Sequence, residues 1–178
     1  MIKTKKFASA LALAAATFVS QAAMAADISN PIEAIELTDN AGFFGRLITG
    51  NHADDTFTDQ YSFTLGAGSS IVADLYSYSG NAKNGLDITG FGLYSSDGTL
   101  VLAGTQIETG KTDQWHLATG GLSGTGYYLQ VEGSVLSRAA GSYTAALAVT
   151  PVPEPATYGM MLGGLALLGV AARRRKQQ

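Results

Sequence analysis

Apolar and polar residues alternate in short runs through the middle of the chain. Phe57, Asp59, Tyr61, Phe63 and Leu65 share one face of an extended segment, and Thr58, Gln60, Ser62 and Thr64 share the other. That period of two is the signature of a half-buried strand. Gly66-Ala67-Gly68 turns the chain into a second run over 71–78, where Ile71, Ala73 and Leu75 oppose Val72, Asp74 and Tyr76. Asn84-Gly85 opens a strand over 86–94, and Ser96-Asp97-Gly98 joins it to another over 99–103. Asp-Gly between alternating apolar runs is a hairpin signal. Trp115 with Leu117, Tyr127 with Leu129 and Val131, and Tyr143 with Ala145, Leu147 and Val149 mark three further strands; 32–37 and 43–48 are weaker candidates. Eight or nine short strands with no convincing helix among them predict an all-β domain, an antiparallel β-sandwich of jelly-roll or Greek-key kind, with a barrel as the alternative.

Both ends break this pattern. Lys3, Lys5 and Lys6 precede an apolar run over 7–19 and then Ala23-Met24-Ala25. These are the basic region, apolar region and small-residue cleavage site of a secretory signal peptide, residues 1–25, cut by signal peptidase after Ala25. At the other end Pro151-Val152-Pro153-Glu154-Pro155 cannot sit inside a helix and closes a domain spanning 26–150. Residues 157–172 carry no charge, and Arg173-Arg174-Arg175-Lys176 stop the run abruptly. Sixteen residues at about 1.5 Å rise reach roughly 24 Å, short of a hydrocarbon core about 30 Å thick. Tyr158 at one interface and snorkelling arginines at the other cover the deficit. The segment thus predicts a transmembrane helix over 157–172 whose basic tip, 173–176, stays cytoplasmic while the domain faces outward.

Val152-Pro153-Glu154-Pro155, the short Gly- and Leu-rich span and the cluster Arg173-Arg174-Arg175 together resemble the PEP-CTERM sorting signal of Gram-negative bacteria. The resemblance covers about the last 27 residues. It implies a precursor held transiently at the inner membrane, cut near the motif by an exosortase, and then released or relocated to the cell surface. At the level of the family it implies a setting of exopolysaccharide matrices and biofilms. Phe57-Thr58-Asp59-Gln60-Tyr61 is similar to the Phe-x-Asp-x-Phe signature of one PEP-CTERM subgroup, with Tyr61 in place of the last Phe. Segments 59–65, 92–100, 127–131 and 141–144 also resemble bacterial pre-peptidase C-terminal domains, β-sandwich appendages of secreted enzymes. That resemblance implies a role in adhesion or targeting.

Composition sharpens this picture in two respects. With no cysteine in 178 residues, neither a disulfide framework nor a zinc-thiolate site is available, so stability rests on packing. Between the two basic ends the chain keeps only Arg46, Lys83, Lys111 and Arg138 against its 14 acids, a balance of about −10. A field of that sign repels phosphate backbones and argues against nucleic acid as a partner.

Catalytic chemistry leaves little trace. His52 and His116 lie in different segments and in no recognisable motif, and no nucleophile elbow, zinc-protease helix or phosphate loop is present. We therefore expect no enzyme and no cofactor. A small polysaccharide hydrolase, which would need paired carboxylates across a cleft, and a membrane-anchored periplasmic binding module are the rival readings. Asp54, Asp55 and Asp59 form the densest acid cluster and are the residues that would hold a calcium ion, against the plainer reading of a solvated acidic loop. Asp59 stands out because it shares a face with four apolar neighbours. A buried carboxylate needs donors or a cation, so Asp59 is expected to tie down loop N–H groups or to meet Arg46. Exposed aromatics are the remaining handle, since their rings stack on sugars. Trp115, Tyr94 and Tyr128 are the candidates for carbohydrate contact, with Tyr76 and Tyr78 also in view. The expectation is a non-catalytic exported protein acting as a matrix, exopolysaccharide-associated or adhesion component.

Overall fold

The computed structural model describes residues 25–66, 68–124, 126–151 and 155–175. The segment before residue 25 that is expected to be a signal peptide, Ala23 included, and Val152, Pro153 and Glu154 of the sorting motif lie outside them. The described residues form ten strands in chain order: β1 Glu33–Ala34, β2 Ala41–Ile48, β3 Thr56–Thr64, β4 Ser70–Tyr78, β5 Leu86–Ser95, β6 Leu100–Ala103, β7 Thr105–Glu108, β8 Thr112–Thr119, β9 Gly126–Val135 and β10 Gly141–Thr150. They form two five-stranded sheets, β1-β3-β9-β5-β6 and β2-β10-β4-β8-β7. Every pairing is antiparallel except β1 with β3. Each sheet keeps two edges, so the strands make a sandwich and not a closed barrel.

The inner faces supply one core. Phe57, Tyr61 and Phe63 of β3 meet Tyr127, Leu129 and Val131 of β9 and Ile88, Phe91 and Leu93 of β5; from the other sheet come Ile71 and Leu75 of β4, Leu117 of β8, and Tyr143 and Leu147 of β10, all buried. The β5 pattern shows why simple alternation was not enough. Its buried residues run Leu86, Ile88 and then Phe91, Leu93, and the phase slips at a register shift between Ile88 and Gly90 against β9. An extra residue in one strand is what returns the next apolar pair to the core. The candidate strand at 32–37 shrinks to two residues, while β7 was not foreseen, because all four of its residues are exposed and no alternation betrays it.

Asp59 joins the sheets. Its Oδ1 accepts from Arg46 Nη1 at 2.8 Å and from the Asn30 N–H at 2.8 Å; its Oδ2 accepts from the Tyr143 hydroxyl at 2.6 Å. Arg46 Nη2 donates in turn to the Ile28 carbonyl at 2.6 Å, and the Tyr61 and Tyr143 hydroxyls lie 2.7 Å apart. Every oxygen of the buried carboxylate therefore has a partner, as its burial demands. Because the Tyr143 proton is committed to Asp59, Tyr61 donates to Tyr143.

Burial pushes the Tyr61 hydroxyl up to about 12 and raises Tyr143 as well, the latter helped by its bonds to Asp59 and Tyr61. A folded-state value above the unfolded value of about 10 means that the native state holds its protons longer. This stabilisation is complete below pH 10 and is lost as pH rises through the folded value. Unfolding midpoints in urea are therefore expected to be flat through pH 8–9 and to fall between about pH 10 and 12, and to fall less steeply in Tyr61→Phe. Equal slopes in both proteins would remove Tyr61 as the cause.

The helix α1, Pro155–Arg175, follows the sandwich. It begins at a proline, which is tolerated in a first turn because its missing N–H would have been unpaired. The helix extends past the expected 157–172 into the arginines. Its described side chains from Tyr158 to Gly169 are all exposed, so they do not form a buried helix of the domain core. Among the described residues no helix is long and apolar enough to cross a membrane, so the structure lends no support to the transmembrane helix expected over 157–172.

Candidate functional site

The outer face of the β1-β3-β9-β5-β6 sheet is polar along β3 and β9 and aromatic at one end. Alternation on β9 sends Leu129 and Val131 inward and leaves Tyr128, Gln130 and Glu132 outward. Opposite them on β5 stand Tyr94, Gly92 and Gly90 in register. Tyr94 and Tyr128 stack with ring centroids 5.2 Å apart and planes 6° from parallel. Burial, followed by the Glu132 carboxylate and Tyr128, raises the Tyr94 hydroxyl above its ordinary value. Gln60 Nε2 donates to Gln130 Oε1 at 2.9 Å and Gln130 Nε2 to Glu132 Oε1 at 2.7 Å, a ladder that fixes both amides and leaves Glu132 with acceptor capacity.

A hollow borders each tyrosine. The one beside Tyr94, of about 240 Å³, opens over Gly90 and Gly92 and is lined also by Leu100, Gln130, Glu132 and Trp115. It exists because two glycines leave the β5 surface bare: a Cβ on Gly92 would lie 3.1 Å from the Tyr94 ring, and one on Gly90 would lie 3.1 Å from Glu132 Oε2. The Trp115 indole N–H is buried and finds no acceptor among the described residues. A buried donor without a partner is uncommon and calls for a reason. The hollow beside Tyr128, of about 610 Å³, is lined by Ile32, Leu37, Ser62 and Thr64 among others.

The three aromatic candidates thus gather at one place, with Trp115 reaching it from β8 of the opposite sheet. Tyr76 and Tyr78 do not join them. They stand exposed on the outer face of the β2-β10-β4-β8-β7 sheet, Tyr76 accepting from Gln114 Nε2 at 3.0 Å and Tyr78 lying under the Lys111 ammonium. Gln60, Gln130, Glu132 and the two glycines were missed, although the same alternation that marks Leu129 and Val131 as core places Gln130 and Glu132 on Tyr128's face.

The remaining candidates separate. Asp54 is exposed, Asp55 accepts from the Ala26 N–H and from His52, and Asp59 turns into the core toward Arg46. The acidic trio therefore does not assemble as one ligand set, and no group of three or more metal-ligating side chains gathers among the described residues. The reason is strand alternation, which points Asp59 away from the loop that carries the other two. Phe57 and Tyr61, the aromatic members of the Phe-x-Asp-x-Tyr motif, are buried beside Asp59. His116 faces outward with its Nδ1 2.7 Å from Asp74, and His52 pairs with Asp55 at 3.0 Å. At the C-terminal end Pro155 starts α1, Arg173 is exposed, and Arg174 and Arg175 belong to the last turn. Ala25 is exposed at the head of the described chain.

Comparison with known proteins adds the decisive observation at the C-terminus, where residues 151–176 match the PEP-CTERM protein-sorting motif. The chain carries a PEP-CTERM sorting signal. Such a signal implies an exported protein processed by an exosortase. The PEP-CTERM match leaves the β-sandwich itself unassigned, and no curated protein matches the sequence. Among solved structures, the periplasmic g-type lysozyme inhibitor PliG of Aeromonas hydrophila is similar over 70% of this chain and 100% of its own, at 12% identity and a TM-score of 0.41. The pre-peptidase C-terminal domain of a Bacillus anthracis collagenase is similar over 68% of this chain and 98% of its own, at 19% identity and a TM-score of 0.37. Likeness at that level bears on neither activity nor ligand.

Proposed function

We propose that this exosortase-sorted protein is a non-catalytic, carbohydrate-contacting component of the extracellular matrix of a Gram-negative bacterium. The observation that carries the reading is the stacked pair Tyr94–Tyr128 standing between two hollows, with the unpartnered Trp115 donor lining one of them. A sugar ring offers an apolar C–H face to an aromatic ring and hydroxyls to amides and carboxylates. Tyr94, Gln130 and Glu132 border one hollow, and Ser62, Thr64 and Tyr128 border the other, so an extended chain of sugars has contacts on both sides of the aromatic ridge. Among the described residues each hollow has a single lining carboxylate, Glu132 in one and Glu36 in the other. That favours binding over the hydrolase reading, which requires two carboxylates flanking one bond. The sorting signal supports a setting outside the cell, at the surface or in the matrix.

The test is retention of the processed protein on gels or beads carrying exopolysaccharide from its own host. Replacing Tyr94 and Tyr128 together by alanine is expected to weaken retention by about tenfold or more, since each stacked aromatic contributes on the order of 0.5–1.5 kcal/mol beyond its buried area. The variant should keep the native thermal unfolding profile, which separates lost contact from lost fold. Native protein that passes every host polysaccharide unretarded would overturn the reading.

A further inference from the structure

Ala26, the residue that would follow the signal-peptide cut, is held by the folded domain through its own nitrogen. The Ala26 N–H donates to Asp55 Oδ1 at 2.8 Å, and His52 Nδ1 sits 3.0 Å from the other carboxylate oxygen. Asp55 is fixed by its backbone: its N–H donates to the His52 carbonyl at 3.0 Å, and its carbonyl accepts from Val135 at 2.9 Å. Asp54 just before it adopts a positive φ of 71°, the left-handed conformation that turns the loop, while its N–H donates to the Val135 carbonyl at 2.8 Å. The segment then runs parallel to the start of β3: Thr56 N donates to the Ala26 carbonyl at 2.9 Å and Ile28 N to the Thr56 carbonyl at 2.9 Å. Arg46 binds the Ile28 carbonyl and so ties this segment to the Asp59 network.

We infer that cleavage after Ala25 creates an ion pair, in which the new α-ammonium of Ala26 is captured by Asp55 and locks the N-terminal segment onto β3. The proposal rests on the signal-peptide reading. In the cut, the hydroxyl of water goes to the Ala25 carbonyl and its proton to the Ala26 nitrogen, signal peptidase being the catalyst. The released amine, with an ordinary value near 8, takes up a further proton at neutral pH. The bond from the Ala26 nitrogen to the Asp55 carboxylate, charged until then only at its acceptor, thereby becomes an ammonium–carboxylate pair with an acceptor already in place. The Asp55 carboxyl is already held below its usual range, by the Ala26 N–H first and His52 second, so it is ionised when the ammonium appears. The other charges at hand are Asp54, exposed, and Asp27, engaged by the Ser29 N–H and hydroxyl, which leaves Asp55 as the partner in bonding distance. Outside the cell a captured terminus is withdrawn from exopeptidases, which attack loose ends.

The experiment takes the processed protein from its native host, establishes its first residue by intact mass, and follows acylation of the α-amine at neutral pH by peptide mapping. The expected protein begins at Ala26, and its α-amine reacts severalfold more slowly than that of Asp55→Asn. A species that begins elsewhere overturns the proposal through its premise, the cleavage site. A species that begins at Ala26 and reacts as fast as Asp55→Asn overturns the capture alone. Should Asp55→Asn fail to accumulate, α-acetylation of the native protein serves instead: a lower thermal midpoint is expected, and an unchanged one sinks the proposal.

Discussion

Replacing Asp59 by alanine is expected to cost the sandwich about 3–5 kcal/mol, because it leaves the Arg46 guanidinium partly buried without its counter-charge. The Arg46 side chain is 15% exposed and the Asp59 side chain 1%, so water can replace little of the lost interaction. The Asn30 N–H and the Tyr143 hydroxyl lose their acceptor at the same time. Against a total stability of order 5–15 kcal/mol for a domain, such a loss moves the urea midpoint far and brings the protein near its folding threshold. Urea titration followed by tryptophan fluorescence measures it, Trp115 being the single reporter. The control is Asp59→Leu combined with Arg46→Met. Removing both charges spares the uncompensated cation, so the double variant should recover much of the loss. It should not recover all of it, because Tyr143, Asn30 and the Ile28 carbonyl remain without those partners. A single-variant loss below about 1 kcal/mol, the range of an exposed pair, would show that the network is solvated in solution.

Gly133→Ala is expected to destabilise by about 1–3 kcal/mol, although it adds one methyl group. Gly133 sits on the inner face of β9, opposite Phe57 on β3 and Ile88 on β5. A Cβ there would lie 2.6 Å from Phe57 Cζ and 2.7 Å from the Asp87 carbonyl oxygen. The carbonyl belongs to a paired strand, and the Phe57 ring is confined against Tyr143 at a centroid distance of 5.8 Å. Neither has room to retreat. Phe57→Leu in the Gly133→Ala background should restore part of the loss and show coupling between the two sites, while the clash with the Asp87 carbonyl persists. Additive effects in calorimetry would mean that the ring moves aside freely.

These two sites show how a three-residue motif is read at different depths. Phe57, Asp59 and Tyr61 announce an inward face by alternation alone, and the carboxylate among them announces a need for donors. Arg46 was nameable as a partner because cations are few in the domain. Tyr143 was not, since it lies 84 residues away and only sheet packing brings its hydroxyl to Asp59. The same limit applies at the surface. Alternation on β9 and the Gly-rich stretch of β5 are local and legible, but the stacking of Tyr94 on Tyr128 depends on strand register, and register depends on the slip at Ile88–Gly90.

The chain's sequence by itself determined an exported destination, a β-sandwich and most of its strands, because targeting segments and half-buried strands are encoded in contiguous composition and period. Tertiary structure decided which side chains meet: it put Trp115 of one sheet beside the hollow that Tyr94 of the other also lines, sent Asp59 away from Asp54 and Asp55, and brought Ala26 to Asp55. Each of these depends on pairings between residues far apart in the chain, whose geometry is settled by packing two sheets over one core and has no period to be read in advance.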